Sequence, residues 1–199
     1  GSYDRAVEMI DLAVEMKVDC VKFQMRHLDQ VYRKKSISKS GEDLGTEYII
    51  DLLNRFELSI AEHRSLSEYC KKKGILYMCT PWDSKSIEVL ESFGVKAYKV
   101  ASADLTNLPL LDQLSKTNKP LILSTGMSKV EEVEHVKLFL EKRNVEFVFL
   151  HCNSTYPAPF HDINLNWIKS LMKIHPIVGY SGHERGTSVS LAAITLGCS

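Results

Sequence analysis

From residue 5 onward, apolar positions alternate between helical and strand spacing. In "RAVEMIDLAVEM", Ala6, Met9, Ile10 and Ala13 recur at three- and four-residue steps, which predicts a helix. "DCVKFQ" follows as a short apolar run and reads as a strand. Further strands are predicted over 75–83, 96–105, 120–128, 146–157 and 176–184, with helices over 59–74, 84–94, 109–117, 128–144, 164–175 and 186–197. Two helices open with capping-box spacing, Ser59 with Glu62 and Ser128 with Glu131. Gly74 and Gly94 mark two helix ends.

Six strands thus alternate with helices, most of them at the spacing of βα units, which predicts a parallel sheet. Residues 25–58 break the rhythm with an insertion that carries Arg33, Lys34 and Lys35. It fits either a solvated excursion or a lid over a site. The chain opens on a helix and stops at "LGCS", where another strand is due. An open sheet of six strands would expose unpaired edges, whereas one more strand at each end gives the eight that close a (β/α)8 TIM barrel. The expected fold is α/β, with residues 1–199 a partial barrel domain containing strands 2–7 and lacking the first and eighth.

Composition narrows the function classes. Twenty-five basic residues balance 25 acidic ones, which argues against nucleic acid or a membrane surface as partner. No apolar run approaches the roughly 20 residues of a membrane helix, and no signal-like segment opens the chain. The five cysteines are odd in number and lack C-x-x-C spacing; three lie in strand-like runs, as small hydrophobes would. The expectation is a reduced, cytoplasmic protein.

Polar residues gather where the predicted strands end: Lys22 and Gln24, Thr80, Lys99 with Ser102 and Asp104, Ser124 and Thr125, Asn153, Ser154 and Tyr156, then Ser181 and His183. In a parallel α/β barrel that face builds the site. Hydroxyls beside glycine in "STG" and "YSGHERG" leave backbone N–H groups free for an anion. Lys22 and Lys99 lie in apolar strands, where an unpaired ammonium is costly to desolvate. Each could snorkel outward, and Lys99 could pair with Asp104. Two such lysines facing one pocket favour a multiply charged anionic ligand. His183 stands beside Gly182 as a metal ligand, a general base or an ordinary surface histidine; His151, inside a strand, reads as packing.

In their order, "VKFQ", "TPWD", "YKVASADLTNLPLL", "KPLILSTGMS", "LHCNSTYPAP" and "VGYSGHERG" resemble the sialic acid synthase family across essentially the whole chain. The resemblance implies a barrel that condenses phosphoenolpyruvate with an open-chain N-acylated amino sugar, such as N-acetylmannosamine, using Mn2+ or Mg2+. It implies that Lys22, Thr80, Lys99, Ser102, Ser124 and Ser181 hold phosphoenolpyruvate, and that Gln24, Asp104 and Tyr156 face the sugar. Lys22, Lys99 and Asp104 form the expected catalytic set. His183 would be one metal ligand. Ser154, a candidate substrate contact, stands where some members have asparagine. The family's catalytic glutamate and second metal histidine belong to strands not expected in this chain, and its C-terminal antifreeze-like domain is not expected here either. The implied full-length enzyme is a homodimer, and residues 1–199 alone are expected to be inactive. Two other readings stay open: a class I aldolase with Lys99 as Schiff-base nucleophile, and an inactive sugar-phosphate-binding remnant.

Overall fold

In the computed structural model, which describes residues 1–32 and 44–199, Ser2 opens helix α1 (Tyr3–Glu15) by accepting a hydrogen bond from the Arg5 N–H. The helical spacing buries Ala6 and Ile10, while Met9 stays exposed. Strand β1 (Cys20–Met25) is followed by α2 (Leu28–Val31), α3 (Leu44–Phe56), α4 (Ile60–Lys73), β2 (Leu76–Pro81) and α5 (Ser84–Phe93). The predicted insertion is therefore helical over α2 and α3; Arg33, Lys34 and Lys35 lie outside the described residues.

The cap at α4 forms as the sequence predicts. The Glu62 carboxylate accepts from the Ser59 N–H at 2.6 Å, and the Ser59 hydroxyl accepts from the Glu62 N–H at 3.2 Å. Gly74 ends the helix at φ +75°, a left-handed conformation that a side chain would strain. The carboxylate of Asp83 caps α5 by accepting from the Ser86 N–H at 2.8 Å.

The chain divides into two units, 1–96 and 97–199. In the first, β1 and β2 run parallel, with Lys22 opposite Met78 and Gln24 opposite Thr80. Side chains alternate along a strand, so Lys22, Gln24 and Thr80 share a face. On the other face Phe23 stacks on Tyr77, and His63 of α4 meets both rings.

The second unit contains β3 (Tyr98–Val100), a 3-10 turn (Ser102–Asp104), α6 (Leu108–Ser115), β4 (Leu121–Ser124), α7 (Val130–Glu141) and β5 (Phe147–His151). A second 3-10 turn (Phe160–Asp162), α8 (Trp167–Ile174), β6 (Val178–Tyr180) and α9 (Ser188–Thr195) complete it. Strands β3 to β6 pair in sequence order, all parallel. Tyr98, Val100, Leu121, Leu123, Phe147, Phe149 and Val178 make a buried apolar row on one face of these strands. Leu111 and Leu114 of α6, Val133 and Leu140 of α7, and Ile168 and Leu171 of α8 are fully buried as well. Each such Val, Leu or Ile contributes about 1.5–3 kcal/mol relative to an exposed one. Lys99 and Ser124 alternate with the row and occupy the opposite face.

Several expectations shift in detail, and β4 and β6 also stop short of their predicted ends, at Ser124 and Tyr180. The predicted α7 box does not form: the N-cap is Lys129, whose N–H donates to the Glu132 carboxylate at 2.7 Å, while the Ser128 hydroxyl donates to the Gly126 carbonyl. Strand β3 stops at Val100 because Ser102–Asp104 curl into a 3-10 turn. Strand β5 stops at His151, and just beyond it the Asn153 side chain accepts from the Thr155 N–H at 2.8 Å and turns the chain. All five cysteines are free thiols, and Cys70, Cys79 and Cys152 are buried. Burial pushes the Cys70 thiol up to about 11 and that of Cys79 to about 12. Among the described residues no helix is long and apolar enough to cross a membrane.

Candidate functional site

Lys22, Gln24 and Thr80 belong to the first unit and the other candidates to the second. Lys22 is exposed, so the desolvation argument that singled it out does not apply here; strand alternation places it on the polar face. Thr80 is buried beside Gln24. The Gln24 side-chain oxygen accepts two hydrogen bonds, from Arg26 Nη2 at 2.5 Å and from Trp82 Nε1 at 3.1 Å.

In the second unit Lys99 is only 6% exposed, as the sequence argument requires. Its ammonium donates to the Ser124 hydroxyl at 2.5 Å and to the Val100 carbonyl at 2.8 Å. A buried ammonium is costly to desolvate unless hydrogen-bonded, as here to a hydroxyl and a carbonyl at a strand end. One oxygen of Asp104 accepts from Asn107 at 3.0 Å, and the other is buried with no hydrogen-bond partner. Burial pushes the Asp104 carboxyl up from the ordinary range.

Gly126 explains how the next group comes together. A Cβ there would lie 2.8 Å from Ser102 Oγ and 2.9 Å from Cys152 Sγ, and closer still to Ser154 Oγ. Only glycine admits these three side chains. Ser102 and Cys152 contact each other at 3.1 Å, and the Ser154 hydroxyl is buried without a partner. Alongside, a cavity of about 600 Å³ is lined by Thr125, Ser128, Asn153, Ser154, Asp162 and Trp167, among others.

The loops after β5 and β6 meet at His183. Its Nδ1 lies 2.5 Å from the Asn153 carbonyl, which can only accept, so Nδ1 carries the proton. That leaves Nε2 as an acceptor, 3.0 Å from the Tyr156 hydroxyl, with the two rings stacked at 4.0 Å. Ser181 donates its N–H to the His151 carbonyl at 2.9 Å. His151 itself is buried and donates from Nε2 to the Ile163 carbonyl at 2.6 Å, a packing role as its strand position suggested.

An imidazole whose Nδ1–H is held by a backbone carbonyl has the tautomer and orientation of a metal ligand. Yet among the described residues no three His, Cys, Asp or Glu side chains converge on one point. The described residues therefore bring together no metal centre, and His183 Nε2 faces the Tyr156 hydroxyl.

Comparison with known proteins assigns the chain to a family. Residues 9–199 match the profile of the NeuB family. The chain belongs to the NeuB family. It is 35% identical, over 99% of its length and 61% of the relative's, to N,N'-diacetyllegionaminic acid synthase of Campylobacter jejuni. It is 33% identical, over 99% of its length and 56% of the relative's, to N-acetylneuraminate-9-phosphate synthase of Homo sapiens. Among solved structures, the N-acetylneuraminic acid synthetase of Leptospira borgpetersenii, in complex with citrate, superposes with a TM-score of 0.86 at 31% identity. That superposition covers 98% of this chain and 65% of that one. The chain thus spans somewhat more than half the length of the curated NeuB relatives it matches.

Within the NeuB sequence, some participants escaped the motif reading. Cys152 read as a small hydrophobe, yet its thiol touches Ser102. Arg26 and Trp82 hold the Gln24 amide, and the only sequence signal was their position beside Gln24 and within "TPWD".

Proposed function

We propose that this NeuB-family chain carries part of the active site of a nonulosonic acid synthase. The enzyme condenses phosphoenolpyruvate with an open-chain N-acylated amino sugar, N-acetylmannosamine or a related hexose, and releases phosphate. The observation that carries the reading is the buried Lys99 ammonium held on Ser124. In this reading the strands belong to a (β/α)8 barrel and the active enzyme is a cytoplasmic homodimer.

Lys22 and Lys99 supply positive charge for the phosphate and carboxylate, and Thr80, Ser102, Ser124, Ser154 and Ser181 supply neutral donors. Gln24, Asp104 and Tyr156 orient the sugar. C3 of phosphoenolpyruvate attacks the sugar aldehyde carbon and forms the new C–C bond as the carbonyl oxygen takes up a proton. Water adds at C2, and phosphate departs with cleavage of the C2–O bond, leaving the 2-keto acid. Burial raises the Asp104 carboxyl above the ordinary range, which supports a part for it in the proton exchange of this sequence. Mn2+ or Mg2+, when bound, would polarise the sugar carbonyl as a Lewis acid, with His183 Nε2 as one ligand.

The test is phosphate release from phosphoenolpyruvate with Mn2+ and a panel of N-acylated amino sugars, using the full reading frame that contains this chain. Lys99→Met should raise the KM for phosphoenolpyruvate roughly ten- to a hundredfold, because a hydrogen bond to a charged group contributes about 1.5–3 kcal/mol. An unchanged KM, or borohydride trapping of substrate on Lys99, would overturn the assignment.

A further inference from the structure

Two donors converge on one oxygen beside the strand β1 exit. Arg26 Nη2 and Trp82 Nε1 both point at Gln24 Oε1, at 2.5 and 3.1 Å. Neither a guanidinium nor an indole N–H can accept a hydrogen bond. Turning the amide over would set its –NH2 against two N–H groups, so the pair admits a single orientation of Gln24. Arg26 is itself held from three sides. Its backbone N–H donates to Glu57 at 3.2 Å, its Nε lies 3.5 Å from the same carboxylate, and its guanidinium sits 5.0 Å above the Trp82 ring.

We propose that Arg26 and Trp82 are positioning residues that lock the Gln24 amide with its oxygen turned away and its –NH2 presented to the substrate. Gln24 then reads the substrate only as a donor. The group it recognises is an acceptor: a carbonyl oxygen, or the lone pairs of a sugar hydroxyl. The inference rests on the reading that Gln24 faces the sugar.

Residues 1–199 contain two tryptophans, Trp82 and Trp167, so the NMR spectrum of this chain should contain two indole N–H resonances, and Trp82→Phe assigns them. Gln24→Ala should move the Trp82 resonance upfield and leave that of Trp167 in place; an unmoved Trp82 resonance overturns the lock. In kinetics on the full reading frame, Trp82→Phe and Arg26→Met should each raise the sugar KM roughly two- to tenfold, the range of one neutral hydrogen bond. The KM for phosphoenolpyruvate and kcat should stay within about twofold. In a Gln24→Ala background either change should add nothing further, since both act through one amide. Fully additive effects would overturn the proposal. Movement of the indole resonance together with a sugar KM unaffected by Gln24→Ala would leave the lock standing and remove the sugar from Gln24.

Discussion

His63 ties the stability of the first unit to pH. It is 1% exposed, lies 2.8 Å from the Tyr77 hydroxyl through Nδ1, and leaves Nε2 buried without a partner. The rings of Phe23 and Tyr77 flank it, and only Glu62 opposes the effect of burial. Burial lowers its pKa from 6.5 to about 4. The unfolded chain therefore takes up a proton below about 6.5, while the folded chain declines it until about 4. The resulting contribution to stability is fully present above the unfolded value and is lost as pH falls toward the folded one. At about 1.4 kcal/mol per unit the full span amounts to about 3 kcal/mol, of which about 2 kcal/mol falls between pH 7 and pH 5. Urea unfolding at both pH values, for the native chain and for His63→Gln, isolates this histidine from the other titrating groups. The variant should lose about 2 kcal/mol less than the native chain on going to pH 5. Parallel losses, or an imidazole resonance of His63 that titrates near its ordinary value, would refute the argument.

Gly126→Ala should drive a methyl into Ser102, Cys152 and Ser154; such overpacking costs about 1–3 kcal/mol and should appear as a lowered Tm in thermal unfolding, partly restored by adding Ser102→Ala. An unchanged Tm would count against the crowding. His183→Ala should weaken Mn2+ binding to the full reading frame by at least about tenfold in calorimetric titration, since even losing a residue behind a metal ligand costs that much. Equal affinity would remove His183 from the metal.

The βα alternation was legible because helical and strand periods leave different apolar spacings, and because Ser59, Glu62, Gly74 and Gly94 mark helix ends by chemistry that acts over four residues. Strand lengths were less legible. Polar residues beyond Val100 and His151 can continue a strand or bend it, and the choice fell to local bonds such as the Asn153 side chain on the Thr155 N–H. The α7 cap falls one residue later than its spacing suggested, at Lys129, because the Ser128 hydroxyl bonds back to the Gly126 carbonyl instead of to the helix. In the candidate site, residue type and strand-end position singled out Lys99 and Ser124, and Tyr156 and His183, and the structure pairs each two by a hydrogen bond. Partnerships such as Arg26 with Gln24, or Cys152 with Ser102, depend on side-chain direction, which spacing alone does not encode.

The mutual bracing around His183 constrains how such a protein can be re-engineered. The Ala158 N–H donates to the His183 carbonyl, His183 Nδ1–H reaches the Asn153 carbonyl, and the Tyr156 hydroxyl meets Nε2. Neither loop keeps its shape from its own residues alone. Grafting the 152–158 segment from a relative keeps a backbone carbonyl at 153 and removes the contact to Nε2 unless position 156 brings a hydroxyl, and it holds the imidazole only if the 181–186 segment still fits the new loop. For a library of chimaeras, the heritable unit is the pair of segments, and crossover points belong outside both.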